Sequence, residues 1–150
     1  MSDTELAQAV KRLTPLLPVP MDLTLLVENL AADLHRTVRL TGAAFSSGST
    51  TGALVKQGPN DDLIIIFDEG ADPAHQIHIV LHEIGHLLLG HPLIAVPAEG
   101  LTNLLAHPLS CPYPKTVEDA AEQFATSVVA VVSVMPSDTT EFSRASSILL

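Results

Sequence analysis

A single cysteine, Cys111, stands in 150 residues, so no intrachain disulfide can form. That frugality goes with a reducing compartment, and a cytoplasmic setting is the expectation. Tryptophan is missing and aromatics make up only 3%, so Leu, Val, Ile and Ala must fill the interior. Cations are few: seven Lys plus Arg against 17 Asp plus Glu, for a net charge of −10. This excludes the basic face that direct nucleic-acid binding needs. The start, Met1-Ser2-Asp3-Thr4-Glu5, lacks the basic-then-apolar pattern of a secretory signal. The greasiest stretches, near 77–89 and 124–136, are too short or too interrupted to span a bilayer, so no membrane role is expected. With hydrophobic residues at 47% and charged ones at 16%, the composition is that of a globular chain. Neither repeats nor a linker divide it, and 1–150 reads as one domain.

Periodicity gives the order of elements. Residues 4–36 read as two helices parted by Pro15, Pro18 and Pro20; the second starts at Asp22 or Thr24, with Leu23, Leu26, Leu30 and Leu34 on one side. Residues 37–67 read as a three-stranded sheet, with strands at 37–45, 52–57 and 63–67. The five unbroken apolar residues Leu63 to Phe67 imply burial on both faces. An exposed edge strand over 51–57 is expected to be able to hold an extended peptide by strand addition. A helix over 73–89 begins at Pro73 and stops at Gly90, before Pro92. The stretch 92–114 is proline-rich and irregular, with a short helix expected near 100–106. A last helix over 116–135 begins at Thr116, with Asp119 spaced as its capping partner, and Pro136 ends it. A Ser/Thr-rich tail occupies 137–150. The fold class is therefore α+β: a small sheet packed on two long helices.

The chemistry lies on those two helices. His82-Glu83-Ile84-Gly85-His86 is an HExxH segment. Residues four apart stack on one helix face, so His82 and His86 can hold one ion between them. Glu83 then stands where it can take a proton from water activated by that ion. The core stripe of the helix is Ile77, Leu81, Ile84 and Leu88, while His78, His82 and His86 form another. A catalytic zinc site typically takes three protein donors. Glu118 is the best third, because Glu118 and Glu122 share a face of the last helix. Ala120, Ala121 and Ala125 would let that helix come close. Glu122, one turn on, is placed to accept a hydrogen bond from the outer nitrogen of His82, which would fix that ring's tautomer. A donor for a developing oxyanion is open among Tyr113, His78, His91 and His107. His75, His91 and His107 flank loops and read as exposed; Cys111 reads as a plain thiol. Zinc follows from ligand type, although manganese or iron suits the same imidazole and carboxylate donors.

Two blocks together resemble the ImmA/IrrE family of small zinc metallopeptidases. One is the apolar strand Leu63–Phe67 followed by His82-Glu83-Ile84-Gly85-His86-Leu87-Leu88-Leu89-Gly90-His91. The other is Glu118-Asp119-Ala120-Ala121-Glu122-Gln123-Phe124-Ala125, with Met135-Pro136 beyond it. They cover about a third of the chain. Departures lie at Ala120, at Glu122 and in the run Ile77-His78-Ile79. The resemblance implies a compact, minimal zincin-like domain with a three-stranded sheet and two site helices. It also implies action on a separate helix-turn-helix transcription regulator. The reading is thus a zinc-dependent metallopeptidase that cleaves a specific protein partner. The alternatives are a zinc-containing module that sequesters a regulator without cutting it, and an effector peptidase of a phage or toxin–antitoxin pair.

Overall fold

The computed structural model describes residues 3–45, 51–97 and 113–134. Its elements run α1 (Asp3–Leu13), a 3₁₀ turn (Thr14–Leu16), α2 (Leu23–Leu34), β1 (Val38–Ala43), β2 (Gly52–Gln57), β3 (Asp62–Asp68), α3 (Pro73–Leu88), β4 (Ile94–Val96) and α4 (Lys115–Val134). The architecture is α+β, with a mixed sheet in the order β1-β3-β2-β4. The sheet has four strands, one more than the sequence reading expected. Strand β4 is only three residues long and lies where the prolines predict irregular chain; its parallel pairing with Val55–Gln57 makes it a strand. The expected helix near 100–106 and the tail 137–150 lie outside the described residues.

Strand β3 is the centre of the sheet. It runs parallel to β1 and antiparallel to β2. Leu63, Ile64, Ile65 and Ile66 have no exposed surface, as an unbroken apolar run demands when both faces are covered. Ile65 and Leu54 join the main core under the helices, while Ile64, Ile66 and Val55 form a smaller cluster on the opposite face. Strand β2 is not an edge, contrary to expectation. It lies between β3 and β4, and only its first half, Gly52–Leu54, extends beyond the β4 pairing.

The helices start and stop where local chemistry allows. Asp22 Oδ1 accepts the Leu25 N–H at 3.0 Å and caps α2. Asp72 Oδ1 accepts the His75 N–H at 2.9 Å and caps α3, with Pro73 in its first turn. Such caps contribute about 1 kcal/mol each. Beyond α3, Gly90 takes a left-handed conformation (φ 76°). Helix α4 begins one residue before Thr116. The Pro114 carbonyl accepts the N–H groups of Val117 and Glu118, both at 3.0 Å, and Asp119 pairs instead with the exposed Lys115 at 2.9 Å.

Helix α3 lies between α4 and strands β2 and β3, and α1 flanks α4. The main core joins Leu13, Leu26, Leu30, Leu81, Ile84, Phe124 and Val128, all fully buried. Each contributes on the order of 1.5–3 kcal/mol of apolar burial. Of the expected stripe on α3, Leu81 and Ile84 are buried, whereas Ile77 and Leu88 are partly exposed. Ile79 and Val80 are buried too, because the sheet covers a further side of the helix. Among the described residues no helix is long and apolar enough to cross a membrane.

Candidate metal centre

The seam between α3 and α4 is what assembles the site. Gly85 sits between the two histidines of the HExxH segment, and a Cβ added there would lie 2.8 Å from Phe124 Cδ1 and 3.2 Å from the Ala121 carbonyl oxygen. Glycine at 85 and the buried Ala121 and Ala125 therefore let the helices approach more closely than larger side chains permit. The glutamates of α4 come to face the histidines of α3 as a result.

His82, His86 and Glu118 each offer a donor atom, and these atoms all lie within 4.8 Å of one another. Glu118 spans the pair. Its Oε2 is 2.9 Å from His82 Nε2 and its Oε1 is 2.9 Å from His86 Nε2. The contact to His86 has the length of a hydrogen bond but not its direction. Nε2 of His86 is buried and has no hydrogen-bond partner of acceptable direction, the one such side-chain atom among the described residues. A buried polar atom left so costs about 1–3 kcal/mol. A cation bound to the lone pairs of this donor set would supply the missing partner. Two imidazoles and a carboxylate form a donor set that suits a divalent transition ion, so the residues present fit one.

Glu83 is almost fully buried, and burial first, then the nearby Glu118 charge, pushes its carboxyl up to about 8. Without a cation beside it, Glu83 holds its proton near neutrality. Gly52 opens β2 directly against it: a Cβ there would meet Ile79 Cγ2 at 2.5 Å and Glu83 Oε2 at 3.2 Å. Nothing in the sequence pattern marks Gly52, because its neighbour Glu83 lies 31 positions away and across the fold.

Glu122 accepts from His82 Nδ1 at 3.0 Å, the contact its spacing led us to expect. Its other oxygen meets His78 Nε2 at 2.6 Å. Partial burial raises the Glu122 carboxyl, but the hydrogen bonds and charges of His78 and His82 outweigh it and hold the group below its ordinary value. His78 thus anchors a carboxylate in this structure, and does not present that nitrogen to a substrate. Tyr113 is likewise engaged. Its hydroxyl donates to the Pro92 carbonyl at 2.6 Å, and its ring stacks on His86 with centroids 4.0 Å apart and planes at 19°.

His91 is the residue that sequence reasoning misplaced. Its place beside a loop predicts exposure, yet its Nδ1 lies 2.9 Å from Nδ1 of His86. The left-handed Gly90 and a His91 N–H bond to the His86 carbonyl at 2.9 Å fold the chain back under the helix end. Burial is the main reason that the His91 imidazole titrates below its ordinary range. It also lowers His86 to about 4, against the opposing pull of Glu118. His86 is consequently neutral at pH 7, the state in which an imidazole donates a lone pair. His107 and Cys111 lie outside the described residues.

No protein-family model matches the chain, and no curated protein matches it.

Proposed function

We propose that the chain is a zinc-dependent metallopeptidase that cleaves a peptide bond in a specific protein partner. The observation that carries this reading is the convergence of His82, His86 and Glu118 around one point, with the buried carboxylate of Glu83 on the next residue of the same helix. A purely structural centre has no use for a general base, and a buried carboxylate is costly to keep without a role.

His82 Nε2, His86 Nε2 and a Glu118 oxygen would hold the ion. Zinc, when bound, supplies Lewis acidity that lowers the pKa of water and polarises a carbonyl oxygen. Glu83 accepts the proton of the attacking water and later delivers it to the leaving nitrogen. The positive charge of a cation at the donor set favours the ionised form of Glu83, against the burial that otherwise keeps it protonated. Glu122 holds the His82 ring so that its outer nitrogen carries the proton and its inner one the lone pair.

Resemblance to the ImmA/IrrE family in the two site blocks supports a separate transcription regulator as partner. The acidic balance, −10 overall, favours a partner with a basic surface. The lone cysteine goes with a reducing, cytoplasmic setting.

The test is incubation of the zinc-loaded protein with a diverse peptide library, with cleavage read by mass spectrometry. Wild type is expected to cut and Glu83→Gln is not, although both retain zinc. Equal cleavage by the two proteins, or none by wild type, defeats the peptidase. Inactivation of a regulator by Glu83→Gln as effective as by wild type would replace cleavage with sequestration.

A further inference from the structure

The outer nitrogens of both site histidines are engaged, but by chemically different groups. His82 Nδ1 faces the carboxylate of Glu122, whereas His86 Nδ1 faces another imidazole, that of His91. A carboxylate can only accept. An imidazole can do either, so the direction of the His86–His91 bond must be set by something else. Nε2 of His86 is buried, lies 2.9 Å from Glu118 Oε1, and makes no hydrogen bond. A proton on that nitrogen would be buried without an acceptor in line. The proton of the neutral ring is therefore better placed on Nδ1, pointing at His91.

We infer that His91 is a positioning residue: its Nδ1 accepts the Nδ1–H of His86 and thereby leaves Nε2 of His86 as the lone pair aimed into the donor set. This rests on the metal-centre reading above. His91 is held for the task by the left-handed Gly90 and by its own N–H bond to the His86 carbonyl. The stacked ring of Tyr113, anchored through its hydroxyl to Pro92, confines His86 from the flat side. His86 is thus fixed in rotation by one neighbour and in tautomer by the other. By the same logic His91 carries its own proton on Nε2.

Two measurements test this. The first is nitrogen-15 NMR of the histidine rings in the metal-free wild type, where His86 is expected to be protonated on Nδ1; protonation on Nε2 overturns the role. The second is zinc affinity by chelator competition in wild type, His91→Phe and His91→Asn. Phenylalanine keeps a ring but has no acceptor, and zinc is expected to bind about 10–100-fold more weakly, the usual effect of losing an outer partner. Asparagine places its amide oxygen near where Nδ1 stood and is expected to recover most of that loss. A wild type that binds zinc while His91→Phe binds it equally well overturns the role and leaves the metal centre standing. A wild type that takes up no zinc overturns the centre, and this role with it. Should His91→Phe fail to fold, the wild-type tautomer decides alone.

Discussion

His82 and His86 are the same residue type on the same helix, one turn apart, and they live in different surroundings. The His82 side chain keeps 14% of its surface exposed, and its partner Glu122 is half in water at 52%. The His86 side chain keeps 1% and is enclosed by His91 and Tyr113. Water can replace a lost partner on the first side. On the second it cannot, so a lost contact leaves a buried group unsatisfied. One half of the centre is tuned by charge and is open to solvent; the other is tuned by packing and is sealed. The close approach of α3 and α4 at Gly85 draws that boundary.

Glu83 belongs to the sealed half, and Glu83→Gln is expected to have the largest effect. Peptide cleavage should fall by roughly 10²–10⁴-fold, the usual contribution of a general base, while metal analysis finds zinc unchanged. The same substitution tests the sealing itself in the metal-free protein. The Glu83 carboxyl is raised from 4.5 to about 8 on folding, so the native state holds an extra proton between those values. Stability then falls as pH rises through that window, by at most about 1.4 kcal/mol per pH unit. His86, lowered from 6.5 to about 4, acts in the opposite direction: it adds stability as pH rises towards 6.5. The Glu83 slope therefore stands clear of His86 between about 6.5 and 8. Thermal melts across that range should show a decline in wild type that Glu83→Gln lacks; parallel melts would refute the burial argument.

Glu118 is common to both halves, with one oxygen against each histidine. Glu118→Ala should weaken zinc by more than about 100-fold in chelator competition, beyond the range for outer partners. Equal metal content in variant and wild type would remove the third donor and dissolve the contrast. Gly85→Ala strikes the seam alone. The added methyl would press on Phe124 and cost about 1–3 kcal/mol, as overpacking does. A drop of roughly 2–4 °C per kcal/mol is the expected melting signature for a chain of this size. An unchanged melting temperature would show that the helices yield. His78→Ala touches only the open half. Exposed pairs are worth about 0.2–1 kcal/mol, so zinc affinity should fall less than about fivefold, and less still in high salt. A loss as large as that from His91→Phe would erase the distinction between the two sides.

The donor set was legible in the sequence because each half of it is local. His82 and His86 are related by one helical turn, and Glu118 and Glu122 by another, and helical periodicity needs no knowledge of the rest of the fold. The apolar strand Leu63–Phe67 and the capped start of α3 were legible for the same reason. What escaped notice depended on distant partners. Ile94–Val96 is too short for its pattern to show and is a strand only because β2 lies beside it. Gly52 matters because α3 brings Glu83 beneath it. His91 looked like a loop histidine because its place depends on the turn at Gly90 and on Tyr113, which arrives from a later segment.

Composition and periodicity were enough to specify the long helices, the first three strands, their order and which side chains share a helix face, since those follow from short-range geometry and hydrophobic pattern. Which nitrogen of each histidine is tied, which carboxyl is driven up by burial, and where Tyr113 and His78 spend their hydrogen bonds were all decided when the helices packed. Desolvation and hydrogen-bond direction depend on neighbours in space, and linear order does not encode those neighbours one residue at a time.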